Sequence, residues 1–271
     1  MSIWKETGRL RVGQTGLDYK CIGPGPDQAP TIVMLHEGLG CIALWRDFPE
    51  KLAAATGCGV LVYSRAGYGQ SDPAELPRST DYMTREAQDV LPQVLDAFDV
   101  RNAVLLGHSD GATIAAIYAG SVWDARVRGL VLMAPHFFSE KIGLEEIARA
   151  KTAFQTGNLA ARMAKYHRAP EATFYGWCNP WLDPEFIDWN VAEVIDYLRI
   201  PTLAIQGAQD AFGTLDQITE LEQRSYAPVD VVILDDCGHI PFVDQPVATL
   251  SSVVDFVARL QRIETVKVAV G

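Results

Sequence analysis

Two side chains able to attack a substrate stand next to each other in LLGHSDGATI (residues 105 to 114), where Ser109 and Asp110 lie between Gly107 and Gly111. An attacking serine leads to esters, thioesters, amides or activated ketones; an attacking aspartate leads to epoxides and alkyl halides. The spacing G-x-S-x-G puts Ser109 at the centre of a tight turn between a strand and a helix, where small flanking residues avoid clashes and the middle side chain projects above the sheet edge. Asp110 comes one position too late for that role, and its expected contribution is its backbone N–H. A serine hydroxyl is a weak nucleophile until a base takes its proton, so a histidine and a carboxylate must follow. Asp210 in TLAIQGAQDAFG and His239 in VVILDDCGHIPFVDQP follow in that order, each just past an apolar run. Of His36, His108, His136, His167 and His239, only His239 lies beyond the candidate acid. Asp235 and Asp236 are close to His239 in the chain and are expected to cap or solvate the turn.

Elements that position these groups are legible as short apolar runs: TIVMLH (31 to 36), GVLVYS (59 to 64), AVLLGH (103 to 108), GLVLMA (129 to 134), TLAIQG (202 to 207) and DVVILD (230 to 235). They lack polar alternation, as expected of strands whose two faces are both covered by helices. WRDFPEKLAAAT and TREAQDVLPQVLDAF carry apolar residues at helical spacing, and Ala112, Ala115, Ala116 and Ala119 let the helix after Ser109 lie close to the sheet. RLRVGQTGLDYKCIG, with Gly13 and Gly16 between two short runs, predicts an antiparallel hairpin at the sheet edge. SSVVDFVARLQRIE closes the chain as an amphipathic helix with Val253, Val254, Val257, Leu260 and Ile263 on one side. The rhythm breaks between about His136 and Arg199, which predicts an inserted helical lid. Its second half gathers Phe174, Tyr175, Trp177, Trp181, Phe186 and Trp189, which either line a pocket or fix the insert to the core.

The chain has 271 residues, 48% hydrophobic and 21% charged, enough for one large α/β domain. A net charge of -11 disfavours nucleic acid and anionic membrane as partners, since both are held mainly by Lys and Arg. A small-molecule substrate is the expected partner, and a homodimer stays open. Five cysteines (Cys21, Cys41, Cys58, Cys178, Cys237) without C-x-x-C spacing suggest buried thiols rather than disulfides or a zinc site. With neither a signal-like apolar start nor a run approaching the roughly 18 apolar residues of a membrane span, the expected location is the cytoplasm.

GHSDG, SRAGYGQSD, QGAQDAFG and CGHIPFVDQP together resemble the α/β-hydrolase family along nearly the whole chain. The resemblance implies an α/β-hydrolase fold: a mostly parallel eight-stranded sheet with helices on both faces, a core of residues 1–135 and 200–271, and a helical lid at 136–199. It also implies a serine hydrolase with Ser109 as nucleophile, His239 as base and Asp210 as orienting acid, working without metal or organic cofactor. SRAGYGQSD, glycine-rich as it is, then reads as a structural turn and not a phosphate loop.

The family usually carries H-G-x-x-G after its third strand, and His36-Glu37-Gly38-Leu39-Gly40 puts glutamate in place of the first glycine. That match assigns the N–H groups of Gly38 and Asp110 to the oxyanion hole. Glu37 is expected to anchor its loop, with Arg65 as a candidate partner, because a carboxylate aimed at the oxyanion would oppose catalysis. Glu37, His136, Phe137, Trp177 and Trp181 are candidates for the substrate pocket. A small, largely uncharged carboxylic ester is the leading substrate. Ring-cleavage diketones, thioesters and lactones are alternatives, as is a small-molecule receptor that retains the triad; the fold alone does not choose among them.

Overall fold

A computed structural model describes residues 4–265. β1 (Thr7–Val12) and β2 (Thr15–Ile22) form an antiparallel hairpin. β3 (Thr31–Leu35), β4 (Gly59–Tyr63), β5 (Ala103–His108), β6 (Val127–Met133), β7 (Thr202–Gly207) and β8 (Val229–Leu234) run parallel. Across the sheet the order is β1-β2-β4-β3-β5-β6-β7-β8, eight strands with the hairpin joined antiparallel to β4 through β2.

The helices are α1 (Phe48–Thr56), α2 (Tyr82–Arg85), α3 (Leu91–Ala97), α4 (Asp110–Ser121), α5 (Lys141–Thr156), α6 (Leu159–Met163), α7 (Pro170–Trp181), α8 (Asp216–Arg224), α9 (Pro241–Asp244) and α10 (Pro246–Thr265). None among the described residues is long and apolar enough to cross a membrane.

Continuous apolar strands are explained by two cores, one on each face. Ile32, Met34, Val60, Val62, Val104 and Leu106 face Phe48 and Leu52 of α1 and Val253, Phe256, Val257 and Leu260 of α10. Their neighbours Val33, Leu35, Leu61, Tyr63 and Leu105 face the other way, toward α3, α4 and α8. The alternation is the ordinary period of two in a strand, with both phases apolar. β8 departs from the expected full burial: as the edge strand it has one neighbour, and Ile233 is 40% exposed. On α10, Val254 is half-buried while Phe256 takes the core position; the Ile263 side chain lies outside the described residues.

The helix expected over 84–98 is a run from Tyr82 to Ala97 interrupted by a π-helical turn at Glu86–Val90. Pro92 lies two residues past that turn, and the wider turn falls where its missing N–H breaks the regular hydrogen-bond ladder.

Parallel strands bring the loops after β3, β5, β6, β7 and β8 to one sheet edge. β3 and β5 are the neighbours where the strand order reverses, the place where open α/β sheets leave a crevice for ligands. Between β6 and β7 the chain leaves the sheet through a narrow neck, where Phe138 bridges Asn190 and the Val191 N–H donates to Phe137 O at 2.7 Å. Everything within that neck is helix or turn, and it lies over the same edge.

Candidate active site

Ser109 follows β5 directly and caps α4, with φ 52° and ψ −120°. A non-glycine residue held in such a conformation costs about 1–3 kcal/mol and persists only where its surroundings fix it. The Ser109 N–H donates to Met133 O on β6 at 2.8 Å. A Cβ at Gly111 would lie 2.0 Å from Leu35 O, and one at Gly107 would lie 2.2 Å from Gly111 O. These are backbone contacts with nowhere to move, so the helix reaches the sheet only with glycine on both sides of the turn.

The loops after β7 and β8 bring Asp210 and His239 to this serine. His239 Nε2 lies 2.9 Å from Ser109 Oγ, and His239 Nδ1 lies 2.8 Å from Asp210 Oδ2. Asp210 is fixed in turn: Gln206 Nε2 donates to Oδ2 at 2.9 Å and the Phe212 N–H donates to Oδ1 at 2.8 Å. Burial by itself would raise the Asp210 carboxyl, but the hydrogen bond and charge of His239 and the Phe212 N–H outweigh it and hold the group below the usual carboxylate range. The acid is therefore ionised and aimed at Nδ1, which leaves Nε2 free to accept a proton from serine. Among the described residues, no cluster of His, Cys, Asp or Glu is placed to hold a metal ion.

Across from the serine, the N–H groups of Gly38 and Asp110 donate to no acceptor among the described residues. The Trp177 indole lies directly on Gly38, where an added Cβ would fall 2.1 Å from Nε1, so a side chain at 38 would displace the tryptophan. His167 ties the same loop to the insert: its Nδ1 accepts the Gly69 N–H at 3.0 Å, and its Nε2–H therefore donates to Leu39 O at 3.0 Å.

The Asp110 carboxylate turns away from the serine and accepts from the Tyr82 hydroxyl. That hydroxyl also accepts from Trp181 Nε1 at 3.0 Å. Burial raises the Asp110 carboxyl, against the pull of Arg65, the Tyr82 hydroxyl and Arg78. Replacing Tyr82 by phenylalanine would leave a buried carboxylate and a buried indole N–H unpaired. The expected loss is about 2 kcal/mol or more of stability, measured by denaturant unfolding; an unchanged midpoint would contradict this network.

Glu37, Gly38, Leu39, Ser109, Asp110, His136, Ile147, Trp177, Trp181, Phe212, His239 and Ile240 enclose a cavity of about 220 Å³. Of the expected pocket residues, Glu37, His136, Trp177 and Trp181 line it. Phe137 does not: it is fully buried in the core on the α4 side, its N–H donating to Gln217 Oε1 at 2.7 Å. Side chains in extended chain alternate in direction, and with His136 facing the cavity its neighbour points to the core. Arg65 does not meet the Glu37 carboxylate either; its guanidinium donates to the main-chain carbonyls of His36 and Glu37. A larger groove of about 570 Å³ between α1 and α10, lined by Phe48, Val247 and Leu250, contains no histidine and no nucleophile–base pair.

The tryptophans and phenylalanines of the insert divide between both expected roles. Trp177 and Trp181 face the cavity, while Phe174 and Phe186 are fully buried. Phe154 stacks on Phe174 with centroids 4.0 Å apart, and Phe186 stacks on Trp189 at 4.9 Å. Such pairs contribute about 0.5–1.5 kcal/mol each beyond area burial, and as both lie within the insert they hold its own parts together independently of any ligand.

His136 is pushed down to about 3 by burial, with His239 adding to the effect. Its folded value lies below the ordinary 6.5, so between those values the unfolded chain binds more protons and stability falls as pH falls. The expected loss is about 2–3 kcal/mol on going from about pH 6.5 to 4.5. Denaturant titrations across that range should show the slope reduced by about one proton in His136→Gln, and an unchanged slope would contradict the assignment.

Gln206, Phe212, Tyr82 and Ile147 were not singled out from sequence. Phe212 had a signal, two positions past Asp210 in the same turn. Its ring lies 4.6 Å from that of His239. Ile147 and Tyr82 had none beyond helical spacing, because their roles depend on how the insert settles on the sheet.

Residues 30–186 match the family described as alpha/beta hydrolase fold. A proline iminopeptidase of Lactobacillus delbrueckii subsp. bulgaricus is 26% identical over 265 residues, covering 83% of this chain and 88% of that protein. Among solved structures, the enol-lactonase from Burkholderia xenovorans LB400 superposes with a TM-score of 0.72 at 20% identity, covering 93% of this chain and 100% of the other. A thermophilic esterase from Thermogutta terrifontis superposes with a TM-score of 0.74 at 17% identity, covering 94% and 99%.

Proposed function

The chain belongs to the alpha/beta hydrolase fold family and is a hydrolase of that family; from that premise we propose that it cleaves a small, largely uncharged carboxylic ester through an acyl-enzyme on Ser109. The reading rests on one observation above all: Ser109 Oγ lies 2.9 Å from His239 Nε2, at the wall of an apolar cavity. Ser109 Oγ attacks the carbonyl carbon as its proton passes to His239 Nε2. The carbonyl oxygen, now an anion, takes hydrogen bonds from the Gly38 and Asp110 N–H groups. His239 then gives its proton to the departing alcohol, leaving serine acylated, and water repeats the cycle to release the acid. Asp210 holds the tautomer throughout.

Size and polarity support the substrate class. A cavity of about 220 Å³ is below the roughly 300–1,000 Å³ of drug-sized ligand sites, so a short acyl group fits and a long chain does not. Leu39, Ile147, Trp177, Trp181, Phe212 and Ile240 make most of its exposed lining apolar, which favours an uncharged group. The helices inside the neck act as a lid in this reading, with Trp177 and Trp181 facing the bound acyl group.

The test is a parallel screen of esters of increasing acyl length, lactones, thioesters, vinylogous diketones and a prolyl arylamide, each with a Ser109→Ala control. Fastest turnover on short-chain esters is expected. Preference for any other class by more than about tenfold in kcat/KM would overturn the ester assignment while leaving the serine mechanism standing.

A further inference from the structure

We propose that the buried His108 and the half-buried Glu37 form an ion pair, His108 carrying both ring protons, that ties the loop bearing Gly38 to the loop bearing His239 and makes both residues positioning groups for the reaction. The inference rests on the ester-hydrolase reading for its kinetic consequence, but its structural content stands apart from it.

His108 ends β5, immediately before the nucleophile, and its side chain is fully buried. Phe242 and Trp45 pack on its ring with centroids 5.5 Å and 6.3 Å away, and the His239 ring lies at 5.1 Å. His108 Nε2 lies 2.6 Å from the main-chain oxygen of His239. A carbonyl only accepts, so Nε2 carries a proton. His108 Nδ1 is buried with no hydrogen-bond partner among the described residues. The group facing it is Glu37 Oε2 at 3.5 Å, within ion-pair distance.

A neutral ring with its proton on Nε2 would turn the buried Nδ1 lone pair toward a carboxylate oxygen, two acceptors facing each other. A second ring proton removes the conflict and turns it into attraction. The other charged or titratable groups nearby are consistent with this. Arg65 donates to main-chain carbonyls, including that of Glu37 itself, and Asp210 is engaged with His239. Burial pushes the Glu37 carboxyl up, but the facing His108 and Arg65 outweigh it and hold the group below its usual value. A carboxylate thus sits one residue from the Gly38 donor with its charge matched by His108.

The same contact sets the position of the base. The His239 main chain is held by a donor whose orientation depends on Glu37, so removing the carboxylate frees the ring and loosens the His239 loop.

The experiment uses the full chain, labelled with ¹⁵N, and observes the His108 ring nitrogens at neutral pH. The signals are identified by their disappearance in His108→Asn. Both nitrogens are expected protonated in the wild type, with Nδ1 losing its proton in Glu37→Gln, whose amide can donate instead. An unprotonated Nδ1 in the wild type overturns the proposal. In kinetics on the ester turned over, Glu37→Ala is expected to lower kcat about tenfold with KM changed less than about twofold, and Glu37→Gln to recover part of that loss. A raised KM with unchanged kcat would instead make Glu37 a substrate-reading group and overturn the positioning role. Absence of any ester turnover by the wild type would remove the functional reading, while the nitrogen signals would still decide the ion pair.

Discussion

Ser109→Ala is expected to lower kcat by about 10⁶-fold, to the level left by the remaining oxyanion donors and substrate binding. The hydroxyl is the only group of the site positioned both 2.9 Å from His239 Nε2 and on the strained turn at the end of β5. Loss of the hydroxyl removes the covalent route, and no neighbour can replace it. The adjacent carboxylate of Asp110 is turned into the Tyr82 hydroxyl and is not aimed at the cavity. KM should change little, since the cavity walls are untouched. Retained turnover within tenfold of the wild type would mean that another group attacks.

The second large effect is expected from Asp210→Asn, about 10⁴-fold in kcat. Every group around this carboxylate is a donor: His239 Nδ1 and Gln206 Nε2 at Oδ2, and the Phe212 N–H at Oδ1. An asparagine NH₂ must replace one of the two acceptors. Placed at Oδ2, it faces Gln206 and turns Nδ1 of His239 into an acceptor, which moves the imidazole proton to Nε2 and blocks proton transfer from serine. Placed at Oδ1, it opposes the Phe212 N–H and loosens the turn. Steady-state kinetics on the preferred substrate, with KM as the internal control, separates the two: a loss confined to kcat is expected, whereas equal activity would show that the acid does not set the tautomer.

Most of the fold was legible because its signals are local. Apolar runs without alternation gave the six parallel strands, and Gly13 and Gly16 gave the hairpin, each to within a residue or two of the observed limits. The sequence of β8 predicts full burial because it carries no information on which parallel strand lies at the edge. The π-helical turn before Pro92 was invisible for a related reason, since helical spacing tolerates one wide turn without breaking its pattern.

At the site, chain order and the positions of strand ends singled out Ser109, Asp210 and His239, which the structure brings within hydrogen-bond distance of one another. Residues that depend on long-range packing were less accessible. Adjacency groups Phe137 with His136, yet alternation sends it to the core. Arg65 was matched to Glu37 by charge, but the guanidinium reaches the main chain of that loop, and the carboxylate faces His108. Tyr82 carries no signal beyond helical spacing, since its partners Asp110 and Trp181 are brought to it by different elements.

The central claim, an activated serine at position 109, is tested most directly by reacting the protein with a fluorophosphonate and locating the added mass by peptide mapping. One phosphonyl group per chain is expected, on the peptide carrying Ser109, with ester turnover lost in proportion to labelling and no labelling in Ser109→Ala. Labelling at another residue, or undiminished turnover after Ser109 is fully modified, would contradict it.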